Sequence, residues 1–302
     1  MPWKKGNRLR FVPEEIADPA TRQIYSHLKR ALGVPALRLF YPALGVYPEF
    51  LNLHWELMKP VLESQQFFDC AGRLRADAYT RAHNYYRIPD ICASLSEARL
   101  SVAARQELTA TIDLFHHRDS LLLLLFSAQI QAMEGPTGRS DKEPKVVMER
   151  ESPASWPVLV EEENAPASVR KKYDEIRRAF DLPFINSEYM AMARFPDFLS
   201  AYWDLLKKLM GSPLYDECQY GLRETAWHLA RELPGPLELS MDQLLAAGIE
   251  QDDIASVARI LELFVKNLSG LVLNVAVAKI ALEGGNLHLS PEKQTTNSDR
   301  VA

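Results

Sequence analysis

"RQIYSHLKRALGVPALRLFYPALGVYPEFLNLHWELMK", residues 22–59, lies over "RKKYDEIRRAFDLPFINSEYMAMARFPDFLSAYWDLLK", residues 170–207, without a gap. The offset is 148 residues, set by Tyr25 and Tyr173. From Arg22 to Ala78 the two stretches share 18 of 57 positions, where chance identity is roughly 6%. Pro35/Pro183, Tyr41/Tyr189, Pro48/Pro196, Phe50/Phe198, Trp55/Trp203, Cys70/Cys218 and Arg75/Arg223 are among them. One inserted residue later the match resumes, with "DLFHHRDSLLLLLFSAQIQAMEG" (113–135) over "ELFVKNLSGLVLNVAVAKIALEG" (262–284). Duplication explains this better than chance.

Local signals in both copies are helical. Phe50, Leu53, Leu57 and Val61 form an apolar stripe, and Phe198, Ala201, Leu205 and Leu209 repeat it. Pro48 and Pro196, each followed by an acid, suit helix starts; Gly135 and Gly284–Gly285 suit stops. Strand-like runs are rare, and the short "KVVM" and "PVLV" fall in the connection. The expected fold is all-α: two tandem helical repeats forming a pseudo-two-fold single chain, like a homodimer fused end to end. Residues 15–135 are the first repeat, 136–166 a linker rich in proline and charge, 167–285 the second repeat, and 286–302 a flexible tail. A short solenoid is the alternative, but two units of this size are few for stacking. A cleft between the copies is the default place for a small ligand.

Composition narrows the function. The 302 residues are 47% hydrophobic and 25% charged, ordinary for a soluble globular chain. The net charge of −5 and the lack of a dense basic stripe argue against a nucleic-acid partner. Lys4, Lys5, Arg8 and Arg10 read as a solvated basic N-terminus. Cys70, Cys92 and Cys218 form no Cys-x-x-Cys pair, so they read as free thiols in a reducing cytoplasm. The start "MPWKKGNRLRFVPEE" has no apolar signal segment. "LLLLLF" (121–126) and "LSGLVLNVAVA" (268–278) read as buried helices too short for a bilayer, so no membrane partner is expected. Without a phosphate loop, nucleophile elbow or zincin helix, no cofactor is expected either.

The copies also disagree, and the disagreements point to chemistry. "FINSEYMAMARFP" (184–196) reads as one turn-flanked helix with Phe184, Glu188, Ala191, Met192 and Phe195 on one face. Glu188 is matched by Phe40, Ser187 by Leu39 and Asn186 by Arg38. An unpaired buried carboxylate is costly, so Glu188 is solvated, paired or used. At 116–119, His116, His117, Arg118 and Asp119 stand opposite Val265, Lys266, Asn267 and Leu268. Asp119 suits the N-cap of a helix from Leu121 to Met133. The adjacent histidines point apart on a helix, and Glu224 and His228 are more simply an exposed polar pair. No metal site is expected.

Ser187-Glu188-Tyr189, followed by Ala191, Ala193 and Phe195-Pro196, resembles the group I, DehI-type, 2-haloacid dehalogenases, and the resemblance runs over both repeats, roughly 15–285. The family pattern there is Ser-Asp-Phe, closed by Trp-Pro. Its Asp activates a water that attacks the halogen-bearing carbon directly, with no covalent ester. The matching position is Glu188. The family's Asn in the loop before the buried helix matches Asp119, so both key positions depart from the pattern.

The resemblance implies a hydrolase in which a carboxylate-activated water displaces halide, or another leaving group, from a small carboxylic acid. Glu188 and Asp119 would be catalytic. Ser187, Tyr189, Ala36, Leu39, Phe264 and Arg118 would contact substrate, with Ala36 and Leu39 standing where the family carries larger aromatics. Arg118 or Arg194 would bind the carboxylate. The extra methylene of Glu188 shifts its oxygens by about one bond length, and a misplacement of about 1 Å can slow a reaction 10²-fold. Asp119 near Glu188 would raise one pKa of the pair. Two other readings compete: a non-catalytic binding or scaffold protein of the same fold, and an alkylhydroperoxidase-like redox enzyme, against which the absent Cys-x-x-Cys argues. Further association into a homodimer is left open.

Overall fold

The computed structural model describes residues 9–34, 36–95, 100–139, 156–182 and 184–287. It is all-helical, with twelve α-helices among the described residues: α1 Pro19–Leu32, α2 Phe40–Leu44, α3 Pro48–Leu62, α4 Gln65–Tyr85, α5 Ile91–Ser94, α6 Val102–Glu134, α7 Ala167–Phe180, α8 Ser187–Met192, α9 Pro196–Met210, α10 Pro213–Ala230, α11 Met241–Ala246 and α12 Gln251–Glu283. Extended pairing among those residues is limited to two isolated bridges, Thr137 with Leu237 and Arg139 with Pro234. The "PVLV" run forms no strand, and "KVVM" lies outside the described residues.

Helices α7 and α9 begin and end 148 residues after α1 and α3, and α12 lies 149 residues after α6. Their local chemistry recurs as well. Asp18 caps α1 by accepting from the amides of Ala20 and Thr21, with Pro19 at the first helical position. Gly33 ends α1 in the left-handed region at φ 64°, and Asp181 ends α7 there at φ 51°. Asp tolerates that conformation better than most side chains. The shared tyrosines strap the segment ahead of each helix. Tyr25 donates to the carbonyl of Val12 at 2.9 Å, and Tyr173 to that of Val160 at 2.7 Å. The strapped backbone then bonds to the next short helix, from the Val12 amide to Pro42 and from the Val160 amide to Met190. Lys29 with Glu14 and Arg177 with Glu162 close the same arrangement at the surface.

The centre of the molecule is the pair of 33-residue helices α6 and α12, which make the most extensive helix contact. Leu121–Phe126 on α6 and Leu268–Ala278 on α12 are buried on every side. A helix apolar all round must be enclosed, and here the other helices enclose it. By length and composition α12 is long enough to cross a membrane, contrary to the reading of 268–278 alone. Its apolar stretch is 72% buried against the rest of the protein, so it serves as a core helix.

Three sequence expectations are corrected. Asp119 caps nothing: it lies mid-way along α6, whose N-cap is Ser101, accepting from the Ala104 amide at 3.2 Å. No glycine or proline interrupts residues 102–134, and the propensity penalty of an interior Asp is at most about 0.7 kcal/mol, small against the burial of the helix. Residues 184–196 do not form one helix either. Only Ser187–Met192 is helical, because Pro196 holds Phe195 out of the helical region (φ −119°, ψ 70°) and starts α9. Finally, Asn286, assigned to the tail, is anchored. Its side chain donates to the carbonyls of His83 and Tyr86 and accepts from the amide of Ile88. Residues 288–302 lie outside the described residues.

Candidate active site

Glu188 is the second residue of the six-residue α8, all of whose side chains are buried. It is 1% exposed, which removes the solvated reading. Its partner rises from the middle of α6. Arg118 donates through Nη2 to Glu188 Oε1, and through Nε and Nη2 to Asp119 Oδ1 at 3.0 and 2.7 Å. The guanidinium also lies over the Phe115 ring, 4.6 Å from its centre, and over Trp156 at 5.4 Å. Two carboxyls therefore share one buried cation. Asp119 Oδ2 and Glu188 Oε2 are buried without a hydrogen-bond partner among the described residues.

Electrostatics follow from this geometry. Burial pushes the Asp119 pKa well above the usual carboxylate range; Arg118 pulls it back and Glu188 pushes it up again. Asp119 thus keeps its proton to higher pH than a free aspartate. Burial opposes the charge on Arg118, but Asp119 and Glu188 outweigh it and raise that pKa.

A cavity of about 20 Å³ opens beside this cluster, room for about one water. Ala36, Leu39, Arg118, Ser187 and Glu188 line it, as do Arg38, Phe40, Leu122 and Asn186. Other predicted residues lie elsewhere. Asp119 sits behind Arg118, fully buried and outside the lining. Phe264 is one layer back, edge-to-face on Phe40 with ring centres 4.8 Å apart. Tyr189 points into the core of the second half, where its hydroxyl accepts from Asn274 Nδ2 at 3.0 Å. Arg194 is a surface residue paired with Glu107 at 3.1 Å. His116 is buried and His117 half-buried near Arg75; Glu224 is half-buried and His228 exposed. Among the described residues no three potential metal ligands gather.

Arg38, Phe40 and Asn186 were missed as site residues, yet a signal was present. The lining contains three aligned pairs, Arg38/Asn186, Leu39/Ser187 and Phe40/Glu188.

The sequence matches the family described as Halocarboxylic acid dehydrogenase DehI over residues 34–189, more than half of its length. The chain belongs to the DehI family. That match runs from Val34 at the cavity wall through Arg118 and Asp119 to the Ser187-Glu188-Tyr189 stretch. Curated relatives include an (R)-2-haloacid dehalogenase of Pseudomonas putida, 29% identical over 273 residues, covering 88% of this chain and 90% of that one. Another, from Rhizobium sp. (strain NHG3), is 27% identical over 241 residues, covering 78% and 92%. Solved structures of D-2-haloacid dehalogenase resemble this one closely. A mutant form is 27% identical with a TM-score of 0.84, covering 93% of this chain and 98% of that one. The complex with L-LA gives the same TM-score and identity.

Proposed function

We propose that this DehI-family chain is a dehalogenating hydrolase in which Glu188 takes a proton from a water that displaces halide at carbon 2 of a small 2-halo carboxylic acid. One observation carries the reading: a fully buried carboxylate, with one oxygen committed to Arg118 and the other unpartnered, at the wall of a cavity sized for one water. The names of the relatives supply the substrate class. In the step, the water oxygen bonds to carbon 2, the carbon–halogen bond breaks, and halide leaves with its electron pair. The water proton goes to Glu188 and then to solvent, and the product is the 2-hydroxy acid. Arg118, held by Asp119, fixes the carboxylate that acts as base. Leu39, Phe40 and Leu122 supply a dry wall for the leaving halide. A 2-halo acid is larger than one water, so this reading requires the site to widen when the acid binds.

In this reading the site lies on a pseudo-two-fold axis between two fused repeats. Support comes from the aligned pairs in the cavity lining and from the recurrence of helices at offsets of 148 and 149 residues. Cys70, Cys92 and Cys218 are all free, which suits the cytoplasm. A second reading, binding without turnover, is favoured by the departures from the family pattern at Glu188 and Asp119.

Halide release from 2-chloropropionate separates the two. The hydrolase reading expects release by the parent and a fall of at least about 10²-fold in Glu188→Gln. A parent that binds 2-chloropropionate without releasing halide supports the binding reading. A parent that neither binds nor releases overturns both.

A further inference from the structure

We infer that Arg38 receives the substrate carboxylate at the mouth of the site, and that Glu161 holds the Arg38 guanidinium until substrate displaces it. This rests on the hydrolase reading above and names the specificity residue of the same site. Among the described residues, the cavity lining contains two cations, Arg118 and Arg38. Arg118 is already committed to Asp119 and Glu188. Bringing the substrate carboxylate to it would crowd three acids around one buried guanidinium, and like-charge repulsion disfavours that arrangement.

Arg38 is placed differently. Its side chain is 40% exposed, and Nη2 donates to Glu161 Oε1 at 2.5 Å; Glu161 is 43% exposed. Such exposed pairs are weak, so a competing carboxylate can take the guanidinium. The planar fork has five N–H donors and suits two-pronged carboxylate binding. Glu161 reaches Arg38 from 123 positions away in sequence, at the end of the strapped segment that precedes α7. A carboxylate held at Arg38 leaves carbon 2 and its halogen to enter between Leu39, Phe40 and Glu188, all on the cavity wall. Arg38 also stands where the second half has the neutral Asn186, so only one orientation of the acid is offered a cation.

The test is steady-state halide release from 2-chloropropionate and from the uncharged 2-chloropropionamide, by the parent, Arg38→Ala, Arg38→Lys and Glu161→Gln. Arg38→Ala is expected to raise KM for the acid about 10- to 100-fold while changing kcat little, the signature of lost uniform binding. Arg38→Lys recovers part of the loss. Glu161→Gln lowers KM by up to about fivefold. The preference for the acid over the amide collapses in Arg38→Ala. The inference is overturned if Arg38→Ala keeps the parent KM for the acid, or if acid and amide lose rate equally. A parent that releases no halide from the acid sinks the hydrolase reading instead. Calorimetric titration of 2-chloropropionate into the parent and Arg38→Ala then decides the role of Arg38 by itself, with equal affinities contradicting it.

Discussion

Residues 38–41 and 186–189 are aligned in sequence at the 148-residue offset, and their surroundings differ. Tyr41 and Tyr189 are both fully buried, one against Phe126 and the other against Trp203. One position earlier the halves diverge. Phe40 completes an aromatic cluster with Phe126 and Phe264, whereas Glu188 faces Arg118. The long central helices diverge at the complementary point, with Asp119 on α6 opposite Leu268 on α12. Each half therefore carries one acid where the other carries a hydrophobe, and one arginine joins the two. The aligned tyrosines stay alike and pack in the core, while the charged cluster is built at aligned positions that differ.

Removing the joint breaks this comparison most severely. Arg118→Met leaves two buried acids without their cation and should destabilise the protein by about 3–5 kcal/mol in a denaturant titration. A loss below 1 kcal/mol would show that the cluster is better solvated than its burial implies. Next comes Glu188→Gln, which keeps the shape of the side chain and removes the proposed base. Halide release should fall about 10³-fold, or about 4 kcal/mol of barrier, with a melting temperature close to the parent's.

The third prediction concerns a buried pair peculiar to the first half. His54 Nδ1 donates to Gln129 Oε1 at 2.8 Å, where the second half has Tyr202 and Ala278. Burial lowers the His54 pKa to about 4 from an ordinary 6.5, against a smaller opposing effect of Gln129. The folded state binds the proton less readily than the unfolded chain does. The contribution is thus complete above about pH 6.5 and is lost as pH falls towards 4, up to about 3 kcal/mol in all. His54→Leu should flatten that part of the stability–pH curve, and an unchanged slope would contradict the assignment. The smallest effect is Phe40→Leu, expected to destabilise by about 1 kcal/mol through looser packing on Phe264. Thermal unfolding checks it.

Much of the fold was legible because it rests on local and repeated signals. Tyr25 and Tyr173 aligned the halves, and each hydroxyl bonds to a carbonyl of the segment ahead of its helix. The site was legible only in part. Glu188 stood out against Phe40, but its partner did not, since Arg118 reaches it across 70 positions. No periodicity in a single chain encodes that pairing. Arg118 was expected to bind substrate; it lines the cavity and also bonds to the two acids. Asp119 misled because capping preference is a small local energy, and the drive to bury α6 overrides it. Arg38 was missed for a related reason. An arginine beside apolar neighbours reads as surface until the fold brings residue 186 to the same cavity.

The role given to Glu188 is tested most directly by a single turnover in ¹⁸O-labelled water, with enzyme in excess over 2-chloropropionate. Direct attack by water predicts ¹⁸O in the 2-hydroxypropionate formed and none in the peptide containing Glu188. Unlabelled product, with ¹⁸O in the Glu188 carboxyl, would mean that Glu188 attacks carbon itself and would contradict the account.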